Sequence, residues 1–220
     1  METIRAFIAI PLPHPLLEKL AALQRQLESR VPPRSVRWVR AEGIHLTLKF
    51  LGDTPREKLP AIERALAAVA QHAPACTFTI GGLGCFPNPR RPRVVWVGVQ
   101  EPTGRLAALQ DTIEEVMAPF GYPPEGRGFT PHLTLGRVRR RTPRSAVARI
   151  GEIVTNTTVG MLAEVPADHF ALIRSVLKPT GAEYTTLAEF PLRGRVLKEW
   201  SPEEAVKNAA AELYEAGIGQ

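Results

Sequence analysis

The sequence predicts an α+β fold: two pseudo-symmetric lobes whose antiparallel sheets face a central cleft, with helices on the outside. Three observations carry this. Strand-like and helix-like segments alternate, yet several strands follow one another with no helix between them, which antiparallel pairing allows and a doubly wound parallel sheet does not. The tetrapeptide His-Leu-Thr-Leu occurs at 45–48 and again at 132–135, 87 residues apart, so each half of the chain holds one copy. The chain has 220 residues, 44% hydrophobic and 23% charged, enough to build a shared core of ordinary soluble composition.

The elements read in order as follows. Thr3–Ile10 (TIRAFIAI) is a strand that ends at Pro11. Pro13–Arg30 is an amphipathic helix, with Leu16, Leu17, Leu20, Leu23 and Leu27 at helical spacing, and Pro32-Pro33 stops it. Short strands are expected at Val36–Arg40 and Ile44–Leu51, then an Ala-rich helix at Pro55–His72. Strands at Cys76–Phe86 and Val94–Val99 flank a Pro/Arg loop, and Gly104–Phe120 is helical. A Gly/Pro-rich loop leads into a strand at His132–Val138, followed by a helix at Pro143–Thr155. Asp168–Leu192 reads as two strands turning at Pro179-Thr180-Gly181. Ser201–Gly217 reads as a further helix, capped by Ser201 with Glu204 three residues on. The expected organisation is one domain over residues 1–197 with a C-terminal helical extension at 198–220.

The formal net charge is +6, and 22 of the 28 basic residues are arginine. A basic surplus favours an anionic partner, and guanidinium makes forked bonds to phosphate that an ammonium cannot. No stretch approaches the roughly 18 apolar residues of a membrane helix, and the N-terminus does not read as a signal peptide. Cys76 and Cys85 have no metal-ligand spacing and read as reduced core residues. A cytoplasmic protein is expected, monomeric and not membrane-bound. The Gly81-Gly82-Leu83-Gly84 run is no dinucleotide fingerprint, because no helix follows it.

The repeated tetrapeptide carries the chemistry. Side chains alternate faces along a strand, so His and Thr share one face and the two leucines the other. Two such strands side by side would line a cleft with two imidazoles and two hydroxyls. Imidazole titrates near neutrality, so one ring can accept a proton while the other donates one, and threonine hydroxyls can bond phosphate oxygens. The repeat has no carboxylate for Mg²⁺ and lacks the third ligand expected of zinc. No cofactor and no metal are expected, and His45, Thr47, His132 and Thr134 are the catalytic candidates.

The paired H-x-T-x motifs resemble the signature of the two-histidine phosphoesterase superfamily. RAFIAI, VRWV ahead of HLTLKFLG, the run GLGCFPNPRRPRVVWVGV, and FTPHLTLGR are similar to RNA 2′,3′-cyclic phosphodiesterases once called 2′-5′ RNA ligases. The likeness spans about residues 3–192. It implies a bilobal fold with pseudo-twofold symmetry. It also implies RNA with 2′,3′-cyclic phosphate ends as partner, tRNA fragments or short oligonucleotides, opened to a 2′-phosphate with 2′-5′ joining as the reverse reaction. It implies that His45 donates a proton to the departing 3′ oxygen, that His132 takes one from water, and that Thr47 and Thr134 hold the phosphate. A non-catalytic RNA-binding module on the same fold is the alternative.

The resemblance also assigns phosphate binding to the basic residue five places after the second histidine, here Arg137. Strict alternation puts Arg137 on the face opposite His132. The strand must therefore bulge or end before it, or Arg137 is structural. Further substrate-binding candidates are less specific. Phe7, on a face with Arg5, and Trp38 are candidates for base stacking or for core packing. Lys49, on the His45 face by alternation, is a candidate for the RNA backbone or a solvated strand end. Arg127 and Phe129 precede the second motif on a loop and are RNA-contact candidates. Arg90, Arg91, Arg93 and the run from Arg137 to Arg149 are either a phosphate-attracting rim or a solvated face.

Overall fold

Residues 2–126, 128–179 and 181–194 are described by the computed structural model, together with Glu203, Val206 and Lys207. The strands are β1 (Thr3–Ile10), β2 (Val36–Trp38), β3 (Leu46–Pro55), β4 (Cys76–Phe86), β5 (Val94–Gln100), β6 (His132–Val138), β7 (Ala163–Ala167), β8 (His169–Lys178) and β9 (Gly181–Pro191). The helices are α1 (His14–Glu28), α2 (Leu59–His72), α3 (Arg105–Met117) and α4 (Arg144–Thr155). Short 3-10 turns precede β3 at Ala41–Gly43 and α2 at Arg56–Lys58.

The strands form one antiparallel sheet in the order β7-β4-β5-β6-β3-β1-β8-β9, with β2 added onto β6. Four strands lie on either side of the β6–β3 junction. The expected lobes are therefore the two halves of one sheet, joined where Leu46 pairs with Leu133. Each of these leucines follows its histidine directly, so the pseudo-twofold axis runs through the motifs themselves. The strand β7 carries no sequence signal: AEVPA is short and holds Pro166, features of a sheet edge.

The helices cover one face of the sheet. In α1, Leu17 of the predicted stripe is only partly buried, while Leu16, Leu20, Leu23 and Leu27 are buried. Burying each is worth roughly 1.5–3 kcal/mol against leaving it in water. The α2 helix packs on α3 and β9, α3 on β3, and α4 on β4. Cys76 and Cys85 are free and buried. No described helix is long and apolar enough to cross a membrane. The predicted tail helix and the 198–220 extension lie outside the described residues except Glu203, Val206 and Lys207, which are helical; Val206 packs against the core.

Each histidine strand contains one extra residue immediately after its H-x-T. On β3, Thr47 pairs with Ala9, but Lys49 pairs with the next residue, Ile8. On β6, Thr134 pairs with Trp96, but Gly136 pairs with Val95. Leu48 and Leu135 are thus β-bulge residues, and beyond them the alternation changes phase. Two buried glutamines brace these bulges from the helix layer. Gln24 of α1 donates to the Leu135 carbonyl at 2.8 Å and to Val39 O at 2.7 Å. Gln110 of α3 donates to the Leu48 carbonyl at 3.4 Å.

The bulge overturns the expected placement of Lys49. Its side chain turns away from His45 into the core and is 2% exposed. There it forms an ion pair with Glu114 and donates to Pro123 O at 3.0 Å. Glu114 also accepts from Gln110 Nε2 at 2.9 Å and from the Glu125 amide at 3.2 Å. The pair thereby ties β3 and α3 to the loop that leads toward the second motif. Its counterpart position on β6 is Gly136, where β2 crosses: an added Cβ would lie 2.6 Å from Val36 Cγ1 and 2.9 Å from Trp38 Cε3.

Removing one member of this buried pair strands the other charge, at a cost of about 3–5 kcal/mol. Glu114→Ala is expected to show a loss of that size in urea unfolding. The double variant Lys49→Met, Glu114→Leu is expected to recover part of it. A single-variant loss below about 1 kcal/mol would mean that water reaches the pair, as at exposed salt bridges.

Candidate active site

One cavity of about 530 Å³ opens on the sheet face away from the helices, at the β6–β3 junction. His45, Thr47, His132 and Thr134 all line it, as the motif spacing requires. The antiparallel pairing of Leu46 with Leu133 brings His45 to the same level as Thr134, and Thr47 to that of His132. The motifs therefore meet head to tail, each imidazole beside the other strand's hydroxyl. His45 lies one residue before β3, and His132 opens β6.

Both rings are tethered alike. His45 Nδ1 lies 2.9 Å from the Gly43 carbonyl, and His132 Nδ1 lies 2.8 Å from the Thr130 carbonyl. A carbonyl only accepts, so each Nδ1 carries the proton and each Nε2 keeps a free lone pair. Aromatic neighbours fix the ring planes. Phe7 stacks on His45 with centroids 4.5 Å apart, and Tyr184 meets it edge-on at 5.2 Å. Phe86 meets His132 edge-on at 4.8 Å, with Trp96 at 6.2 Å.

Burial pushes the His45 imidazole down to about 4, against the smaller opposing effect of the Gly43 carbonyl. Burial also lowers His132 below 6.5; the Thr130 carbonyl opposes this and the Arg137 charge adds to it. Both rings are therefore neutral at pH 7 in the free cleft.

The bulge on β6 resolves the position of Arg137. Two residues, Leu135 and Gly136, share the outward phase, so Arg137 returns to the cleft face and lines the cavity. The same shift on β3 brings Phe50 into the cavity, 52% exposed. Phe50 is the residue that sequence reasoning missed. Aligning the two repeats, HLTLKF on HLTLGR, would have found it. Arg37, within the VRWV segment, also lines the cavity, as do Tyr184 and Arg40, which no motif announces.

The other candidates divide. Phe7 lines the cavity but is only 2% exposed, so it supports His45 rather than offering a face to a base. Trp38 lines the cavity half-buried. Phe129 is half-buried against the apolar core and is not among the lining residues. Lys49 is excluded by its burial, and Arg127 lies outside the described residues. Of the arginine run and the Arg90–Arg93 loop, only Arg137 lines the cavity. No cluster of three or more His, Cys, Asp or Glu side chains able to hold a metal occurs among the described residues.

A pseudo-twofold α+β sheet that faces two H-x-T motifs across one basic cavity defines the two-histidine phosphoesterase class. The model of the LigT-like phosphoesterases matches residues 10–96 and again 97–184, one match per half, and the chain belongs to that family. It is 35% identical over 189 residues to an RNA 2′,3′-cyclic phosphodiesterase of Methanothermobacter thermautotrophicus, covering 86% of this chain and 99% of that one. A protein of the same description from Archaeoglobus fulgidus is 34% identical over 187 residues, covering 85% and 99%. Among solved structures, one from Thermus thermophilus superposes with a TM-score of 0.72 at 28% identity, covering 87% of this chain and all of that one. E. coli LigT complexed with 3′-AMP superposes with a TM-score of 0.68 at 27% identity, covering 87% and 99%.

Nitrogen NMR of the free protein at pH 7 is expected to show both rings as Nδ1–H tautomers, with His45 still neutral at pH 5. Phe7→Leu lets water reach His45 and should raise its midpoint toward 6.5. An imidazolium at His45 at pH 6 in the native protein would contradict the burial argument.

Proposed function

We propose that this chain hydrolyses RNA 2′,3′-cyclic phosphodiester ends to 2′-phosphomonoesters without a metal, through the His45 and His132 imidazoles. The observation that carries the reading is the paired tethering: both Nδ1 atoms are tied to backbone carbonyls, leaving two Nε2 lone pairs beside one basic cavity. The relatives described as RNA 2′,3′-cyclic phosphodiesterases supply the substrate class, and the 3′-AMP complex of E. coli LigT supports nucleotide binding on this fold.

In this reading His132 Nε2 takes a proton from water as its oxygen attacks phosphorus. The P–O3′ bond breaks, and O3′ leaves as a hydroxyl with a proton from His45 Nε2. The phosphate stays on O2′. Thr47 and Thr134 donate to the non-bridging oxygens, and Arg137 offers a guanidinium fork to the negative charge that builds on them. His45 must be protonated to act as acid, although burial disfavours its charge. The bound phosphate anion supplies the counter-charge that restores its proton affinity. A 5′-hydroxyl in the water's place would give a 2′-5′ linkage by the same proton transfers. The lining residues include no carboxylate, so the cavity offers a divalent cation none of its preferred ligands.

His45→Ala or His132→Ala is expected to lower turnover of a cyclic-phosphate-ended oligonucleotide by at least about 10²-fold, the low end for general acid–base catalysis. EDTA should leave the wild type unchanged. Tight RNA binding with no change at the ends would replace the hydrolase reading with a binding module.

The pH profile gives a separate check. kcat/KM follows the free enzyme, which needs one proton shared between two imidazoles that both titrate below 6.5. As pH rises above 6.5 that form is lost about tenfold per unit, so kcat/KM should fall steadily toward pH 8. The kcat profile should lie to its alkaline side, because bound phosphate favours the imidazolium. A flat kcat/KM between pH 6.5 and 8 would contradict the assignment.

A further inference from the structure

Four arginines line the cavity: Arg5, Arg37, Arg40 and Arg137. All four are exposed, and none pairs with a carboxylate among the described residues. Arg40 has one fixed partner, the Ala182 carbonyl at 2.9 Å, which it reaches from the turn before β3. Arg37 and Arg137 stand directly opposite each other on paired strands, β2 and β6. Like charges at such positions repel and destabilise the pairing. Tyr184 lies in the field of all four guanidiniums, so their charges converge on one region of the cleft.

A cyclic phosphate diester carries a single negative charge, which Arg137 with two threonine hydroxyls already accommodates. Three further cations in the same cavity exceed the reacting group's requirement. At about 530 Å³ the cavity is within the usual range for a small-molecule site, about 300–1,000 Å³, and has room beyond a cyclic phosphate. The next anion along an RNA strand is the phosphodiester immediately 5′ of the terminal nucleoside.

We propose that Arg37, set against Arg137 across the β2–β6 pair, forms a second phosphate subsite that takes this penultimate phosphodiester and makes the enzyme prefer an RNA end to a free cyclic mononucleotide. With Arg137 held by the reacting phosphate, a second phosphate accepts forked bonds from Arg37 and offsets the repulsion between the two guanidiniums. The proposal rests on the cyclic phosphodiesterase reading and adds to it the part of the substrate beyond the reacting group.

The test compares kcat/KM for three compounds: adenosine 2′,3′-cyclic phosphate, the same nucleoside also 5′-phosphorylated, and a dinucleotide ending in a 2′,3′-cyclic phosphate. The two with an added phosphate should be turned over about tenfold better or more, as expected for one charge-assisted contact. That advantage should shrink with salt. Arg37→Ala should remove most of it, with a clearly smaller loss on the cyclic mononucleotide, and Arg37→Lys should restore part. Equal efficiency for all three compounds in the wild type would overturn the subsite, as would an Arg37→Ala loss of one size on all three. A gain for the 5′-phosphorylated compound without one for the dinucleotide would overturn the diester assignment. If none is turned over, the phosphodiesterase reading fails on its own. Calorimetric affinities of the three compounds then decide the subsite by the same ranking and the same Arg37→Ala loss.

Discussion

The active cleft depends on one extra residue in each histidine strand. Without the bulges at Leu48 and Leu135, a regular strand would send Arg137 and Phe50 into the helix layer and Lys49 into the cleft. With them, His, Thr and the residue five places after the histidine all share one face. A bulge leaves backbone groups out of the ladder, and a buried carbonyl without a donor is costly. Gln24 and Gln110 supply those donors from opposite helices, so the helix layer holds the phase of the catalytic strands.

Electrostatics then make the cleft incomplete on its own. Burial strips the water that would solvate an imidazolium at either ring, and the Arg137 guanidinium opposes it further at His132, so both imidazoles rest neutral. The cations meanwhile pair with no carboxylate among the described residues. A bound anion answers both conditions: it balances the arginines and raises the proton affinity of a nearby imidazole.

The pseudo-symmetry is strict at the two H-x-T motifs and broken beyond them. The histidines, threonines, tethering carbonyls and bulges repeat. The residues five places on do not: Phe50 presents a ring where Arg137 presents a guanidinium. One position later than the bulge, Lys49 and Gly136 also differ. The first anchors a buried ion pair, and the second clears the space that β2 needs to bring Arg37 over Arg137.

The sequence alone determined the class of fold, the boundaries of β1, β4 and β6, the leucine face of α1 and the four motif side chains that meet in the cavity. Each of these rests on local periodicity or on a repeat visible within a few residues. Tertiary structure alone decided the rest. Lys49 lost its place to a bulge, because strand phase depends on the register with β1, which no local pattern records. Arg137 gained its place through the equally non-local register of β6 with β5. Phe129 went to the core and Phe7 behind His45, since an aromatic residue in a strand or loop reads alike whether it packs or binds. Tyr184 and Arg37 reach the cavity from β9 and β2, and only the pairing of distant strands puts them beside the histidines.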